Sequence, residues 1–124
     1  MQNEIKSLTR RINDDPDKLH GDSTPAVDRL IEIGEPALEP ALELISSADR
    51  ETRMRAQRVL EGVTMRSHGF RPGEGWRDRG AEEAWRQLWA SLGNLDWDAP
   101  AARRAEAVER WRAWLTARDK ELQS

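Results

Sequence analysis

The sequence predicts an all-α domain of about six helices stacked as hairpins, and three observations carry that expectation. Apolar residues recur at spacings of three and four in segment after segment. Start and stop signals separate those segments, and no run alternates with the period of two that a half-buried strand requires. Two of the segments meet at Gly34-Glu35-Pro36, a turn short enough to make them one hairpin. A lone hairpin cannot cover its own apolar face, so it must stack on neighbours.

In chain order, Ile5, Leu8 and Ile12 mark a helix over about 3–13, closed by the polar loop Asp14-Asp15-Pro16-Asp17. Thr24-Pro25 supplies a capping hydroxyl followed by proline at the first helical position. Val27, Leu30 and Ile31 then form one stripe of a helix over 25–33, stopped by Gly34. The next segment opens at Pro36 and carries Leu38, Ala41, Leu42 and Ile45; Pro40 removes a backbone donor and should bend its early turns. Asp49 reads as the N-cap of a helix whose inner stripe is Ala56, Val59, Leu60 and Val63. Residues 64–80 contain Gly69, Pro72, Gly73, Gly75 and Gly80, too many breakers for a helix, and read as a loop. Ala81 to Leu92 presents Ala84, Trp85, Leu88, Trp89 and Leu92 on one face, with Gly93-Asn94 as a stop. The last helix, about 100–118, buries Ala107, Val108, Trp111, Trp114 and Leu115, with Asp98 as its cap. One domain is expected over 1–124, made of hairpins over 1–63, an aromatic Gly-rich loop over 64–80 and a helical pair over 81–118.

Ile33-Gly34-Glu35-Pro36-Ala37-Leu38, then Leu44-Ile45, then Asp49 followed by Arg53, Ala56 and Leu60, resembles the HEAT and HEAT-like repeat family. The resemblance covers residues 24–64 and implies a short HEAT-like α-solenoid. It also implies that Pro36 opens the first helix, that Asp49 caps the second and that Arg53 makes a structural hydrogen bond between repeats. The tail Asp96-Trp97-Asp98-Ala99-Pro100, followed by Arg104, Ala107, Val108 and Trp111 to Leu115, is similar to a segment found after HEAT-like repeats in some environmental bacteria. That likeness implies a Trp-rich C-terminal helical cap.

Composition narrows the function classes. The 124 residues are 35% charged with a formal charge of −3, a balance that speaks for solubility and against a nucleic-acid surface. Acidic side chains outnumber basic ones before Gly62, and the two nearly balance after it. Cysteine is absent, which removes disulfides, thiolate metal sites and cysteine nucleophiles together. The N-terminus has no apolar run of signal-peptide length and no stretch approaches the roughly 20 apolar residues that span a bilayer, so a cytoplasmic protein without a membrane partner is expected.

No constellation of residues points to catalysis, a metal or a cofactor, and none is expected. His20 and His68 are the only histidines and stand outside any ligand spacing. Ser67 directly precedes His68, but neighbours on a loop do not make a nucleophile and base with an orienting carboxylate. Gly69-Phe70-Arg71-Pro72-Gly73-Glu74-Gly75 has no lysine and follows no strand, unlike a phosphate-binding loop. Asp14-Asp15-Pro16-Asp17 and Asp96-Trp97-Asp98 lack the glycine and terminal glutamate of a calcium loop and read as turns and caps.

The function expected is therefore non-enzymatic binding of a protein or peptide partner on a helical-repeat surface. Six residues are the candidates for it. Arg55 and Arg58 would line the repeat surface; Phe70 and Trp76 would be aromatic anchors on an ordered loop, with Arg71 and Arg77 as the polar contacts around them. Trp76 and Trp97 could each instead fold back as a plug over the end of the core. Two alternatives stand beside this reading: a nucleic-acid protein like the DNA glycosylases among HEAT-like proteins, which use Trp, Arg and Asp in a basic cleft, and a homo-oligomer joined through exposed repeat ends.

Overall fold

The computed structural model describes residues 2–123, apart from the side chains of 122 and 123. Six α-helices follow one another: α1 (Gln2–Arg10), α2 (Pro25–Ile33), α3 (Leu38–Leu44), α4 (Arg50–Ser67), α5 (Ala81–Ser91) and α6 (Ala101–Gln123). A single 3-10 turn, Glu35–Ala37, precedes α3. Two two-residue strands, β1 (Phe70–Arg71) and β2 (Gly75–Trp76), lie between α4 and α5. Among the described residues the fold is all-α apart from that hairpin.

Local chemistry explains most of the boundaries. Thr24 caps α2 by accepting the amide of Val27 at 3.1 Å, and its hydroxyl donates to Ile12 O at 2.9 Å, which ties the cap to the end of the preceding loop. Gly34 ends α2 at φ +87°, a conformation that costs a residue with a Cβ but not glycine. Pro40 cannot donate to Pro36 O, and the segment accordingly opens as a 3-10 turn before becoming helical at Leu38. Asp49 caps α4 by accepting from the amide of Thr52 at 3.0 Å and from its hydroxyl at 2.6 Å. The N-terminal helix is shorter than its apolar stripe suggests: α1 stops at Arg10, and Ile12 enters the core from the turn that follows.

Helix α4 is the centre of the packing, with α2 and α3 laid against it; α1 rests on α2 and α3, α6 reaches α3, and α5 touches α4. Val27, Leu30, Leu38, Leu42, Ile45, Val59 and Leu60 are almost wholly removed from water. Fully burying each contributes about 1.5–3 kcal/mol, so this cluster supplies most of the drive to fold. Helices α2 and α4 approach closely because Gly62 leaves room for Ile31.

The C-terminal pair is fastened by arginines and indoles. Arg104 of α6 donates to Ile45 O at 2.8 Å and to Ala99 O at 3.0 Å. Arg53 donates to Trp97 O, Ser47 O and Ala48 O, joining the loop before α4 to the loop before α6. Trp111 is fully buried and meets Trp89 and Trp114 edge-on, at centroid distances of 5.3 and 5.7 Å.

Three expectations are corrected here. Helix α4 continues four residues past Val63, with the Thr64 hydroxyl donating to Leu60 O at 2.7 Å. Ala84 is exposed and α5 has no fully buried residue; of its expected face, Trp85, Leu88 and Trp89 turn half inward. Asp98 engages Arg50 Nε at 3.3 Å instead of capping α6.

Candidate partner-binding surface

The segment 64–80 is built from its ends inward. At the end of α4, Ser67 and His68 both reach the carbonyl of Thr64, at 2.7 Å from Ser67 Oγ and 2.9 Å from His68 Nδ1, with the two side chains 3.4 Å apart. The chain then turns back on itself as an antiparallel hairpin in which Phe70 faces Trp76 and Arg71 faces Gly75. Its turn is Arg71-Pro72-Gly73-Glu74, closed by Glu74 N–H donating to Arg71 O at 3.0 Å. Proline at the second position and a positive φ of +80° at Gly73 are the signature of a type II turn.

Aromatic contacts hold the hairpin to the helices. Phe70 and Trp76 meet edge to face at 5.2 Å, and Trp76 leans on Trp85 at 6.0 Å. Trp85 in turn donates its Nε1–H to the buried Thr64 hydroxyl at 2.9 Å and stacks 5.6 Å from Trp89. A continuous row of rings thus runs from the hairpin through α5 to Trp111 and Trp114 of α6. Each such pair contributes about 0.5–1.5 kcal/mol beyond simple area burial, which offsets part of the entropy lost by the glycines.

Of the six residues expected to meet a partner, four come together. Phe70 and Trp76 are half-buried, with Arg71 and Arg77 exposed beside them. Arg71 donates to Arg66 O and Phe70 O, closing the end of α4, and the Arg77 side chain makes no ion pair or hydrogen bond among the described residues. Arg58 stands elsewhere, 3.8 Å from Asp22 and some nine residues from the end of α4, or roughly 13 Å along the helix. Arg55 does not line a surface at all. It is 4% exposed, donates to Gly21 O at 3.0 Å and Asn13 Oδ1 at 2.7 Å, and contacts Glu51 Oε2 at 3.4 Å, so its charge is used in fastening the 11–23 loop to α4.

Trp97 is half-buried against the start of α4. Its amide donates to Gln57 Oε1 at 2.7 Å, and the Arg50 guanidinium lies 4.7 Å from its ring centroid. The indole lies beside the bridge in which the Trp97 carbonyl accepts from Arg53.

Two grooves flank the hairpin. One, of about 350 Å³, runs between the ends of α2 and α4 over Ile31 and Val63, with Arg66 and Arg71 on one wall and Glu32 and Glu35 on the other. The second, of about 410 Å³, lies beside Trp76 and is bordered by Asp78, Glu82, Glu83 and Arg86. Sequence reasoning missed the first, since Ile31 and Arg66 are 35 positions apart and nothing local brings them together. Among the described residues no group of three or more acidic or histidine side chains is placed to hold a metal ion, and no helix is long and apolar enough to cross a membrane.

Comparison of the chain with family models, with curated proteins and with solved structures returns no match. The functional reading therefore rests on the residues themselves.

Proposed function

We propose that this chain is a non-enzymatic HEAT-like module whose stacked hairpins hold a partner-binding surface, and whose Trp-rich C-terminal pair closes the stack. The partner is a protein or peptide, received at the 70–77 hairpin. One observation carries the reading: Phe70 and Trp76 sit half-exposed on an ordered turn, flanked by the exposed guanidiniums of Arg71 and Arg77. Aromatic and arginine side chains on a rigid support are the residues that dominate binding energy at interfaces. The resemblance of residues 24–64 to HEAT-like repeats agrees, since such arrays serve as binding surfaces. A cytoplasmic setting fits a chain without cysteine.

Site-specific photocrosslinking tests the reading. A photoreactive residue at Arg77 should capture a discrete partner in cells of the source organism, whereas the same residue at Arg103 on α6 should not. Equal capture at both positions, or none at Arg77, would remove the hairpin as the binding surface.

A further inference from the structure

We infer that the groove between the ends of α2 and α4 takes an acidic peptide segment, with an aliphatic side chain seated over Ile31 and Val63. The inference rests on the reading of the hairpin as a binding surface and names the chemistry of what it binds.

The charges on the two walls are unequally paired. On the acidic wall, Glu35 is paired with Arg118, and Glu32 lies 3.3 Å from Arg29, a guanidinium that it shares with Glu4. Each carboxylate thus has a guanidinium beside it. The basic wall is different. Among the described residues, the Arg71 guanidinium donates only to the carbonyls of Arg66 and Phe70, and the Arg66 side chain makes no ion pair or hydrogen bond. Arg66 and Arg71 thus face the groove without an ion-pair partner among the described residues, across from Glu32 and Glu35 that have theirs. Further along the hairpin Arg77 and Arg79 are matched by Glu74 and Asp78, so Arg66 and Arg71 leave the 64–80 segment positive within a chain whose net charge is −3. Arginine offers a planar fork that matches a carboxylate or a phosphate at two points, so the basic wall is suited to an oxyanion.

Size selects the kind of anion. At about 350 Å³ the groove accommodates two or three side chains and is far narrower than a nucleic-acid duplex. Its floor is apolar, which a polyphosphate backbone would leave unused. A peptide bearing Glu or Asp on either side of a Leu uses both the walls and the floor.

The test uses the full chain and a defined probe: a fluorescein-labelled dodecapeptide of alternating Glu and Leu, followed by anisotropy. Its controls are the same peptide with Lys for Glu, with Ala for Leu, and a single-stranded oligonucleotide. The Glu/Leu peptide should bind, binding should weaken as salt is raised, and Arg66→Glu should reduce affinity about tenfold or more by placing like charges together. Arg66→Gln, with no reversed charge, should give a smaller loss while circular dichroism stays unchanged. Binding of the Lys peptide or the oligonucleotide as tight as that of the Glu/Leu peptide would overturn the inference, as would affinity unaltered in Arg66→Glu. So would light scattering that shows a second copy of the chain occupying the groove, detected as a dimer lost in Arg66→Glu. If the acidic peptide fails while crosslinking at Arg77 still captures a partner, the inference falls and the binding role of the hairpin stands; failure of both removes both.

Discussion

The Nε–H of Arg53 donates to the carbonyl of Trp97 at 2.9 Å, across 44 residues of sequence. The same guanidinium reaches Ser47 O and Ala48 O, so one side chain satisfies carbonyls on both loops that abut the start of α4. Arg53→Ala should lower stability by about 1–3 kcal/mol, because partly buried acceptors are then left without donors. Arg53→Lys should recover only a fraction, since an ammonium cannot reach the two loops in one plane. Chemical denaturation of the three proteins measures both.

Trp111 has its whole ring buried, and its Nε1–H meets no hydrogen-bond acceptor among the described residues. Trp111→Ala should cost about 3–5 kcal/mol through the cavity it leaves. Trp111→Phe should cost much less, because the aromatic contacts with Trp89 and Trp114 are largely kept and no made hydrogen bond is lost. Trp89→Ala, on a half-buried ring, should fall between them.

At Gly62 a Cβ would lie 2.4 Å from Ile31 Cδ1 and 2.7 Å from Cγ1. Alanine improves helix propensity by up to about 1 kcal/mol, while overpacking costs about 1–3 kcal/mol. Gly62→Ala should therefore destabilise despite its better propensity. Adding Ile31→Val, which removes the closest atom, should restore stability beyond the sum of the single changes, as a double-mutant cycle would read.

The pH dependence has two opposed parts. Burial raises Glu61 above its ordinary value of 4.5, helped by Asp22 and opposed by the Gln57 hydrogen bond and the Arg58 charge. Folding then favours its protonated form, so its unfavourable contribution is absent below about pH 4.5 and grows as pH rises through the folded value. Asp49 runs the other way: hydrogen bonds from Thr52 hold it below 3.8, and what it adds is present above that value and lost as pH falls through the folded one. Glu61→Gln should raise the melting temperature near about pH 7 and leave it little changed near about pH 4, flattening that part of the profile. Asp49→Asn should weaken the further loss at lower pH.

Which features were legible in the sequence depended on how far their partners lie. Thr24, Gly34 and Asp49 are recognisable because each acts on groups within four residues. The hairpin lies at the edge of legibility: Pro72-Gly73 flanked by Phe70 and Trp76 signals a type II turn, but strands of two residues show no alternation. The burial of Arg55 was not legible, since its acceptors Gly21 O and Asn13 Oδ1 are 34 and 42 residues away and an arginine is ordinarily solvated. For the same reason the groove joining Ile31 to Arg66 emerges only from the packing of α2 on α4.

Affinity capture with the tagged full chain tests the central claim most directly, comparing wild type with Trp76→Ala and with Arg58→Ala, a change remote from the hairpin. A partner should be enriched by wild type and by Arg58→Ala and be lost with Trp76→Ala, whose helical circular-dichroism signal stays intact. A captured set that is the same for all three proteins would contradict the account.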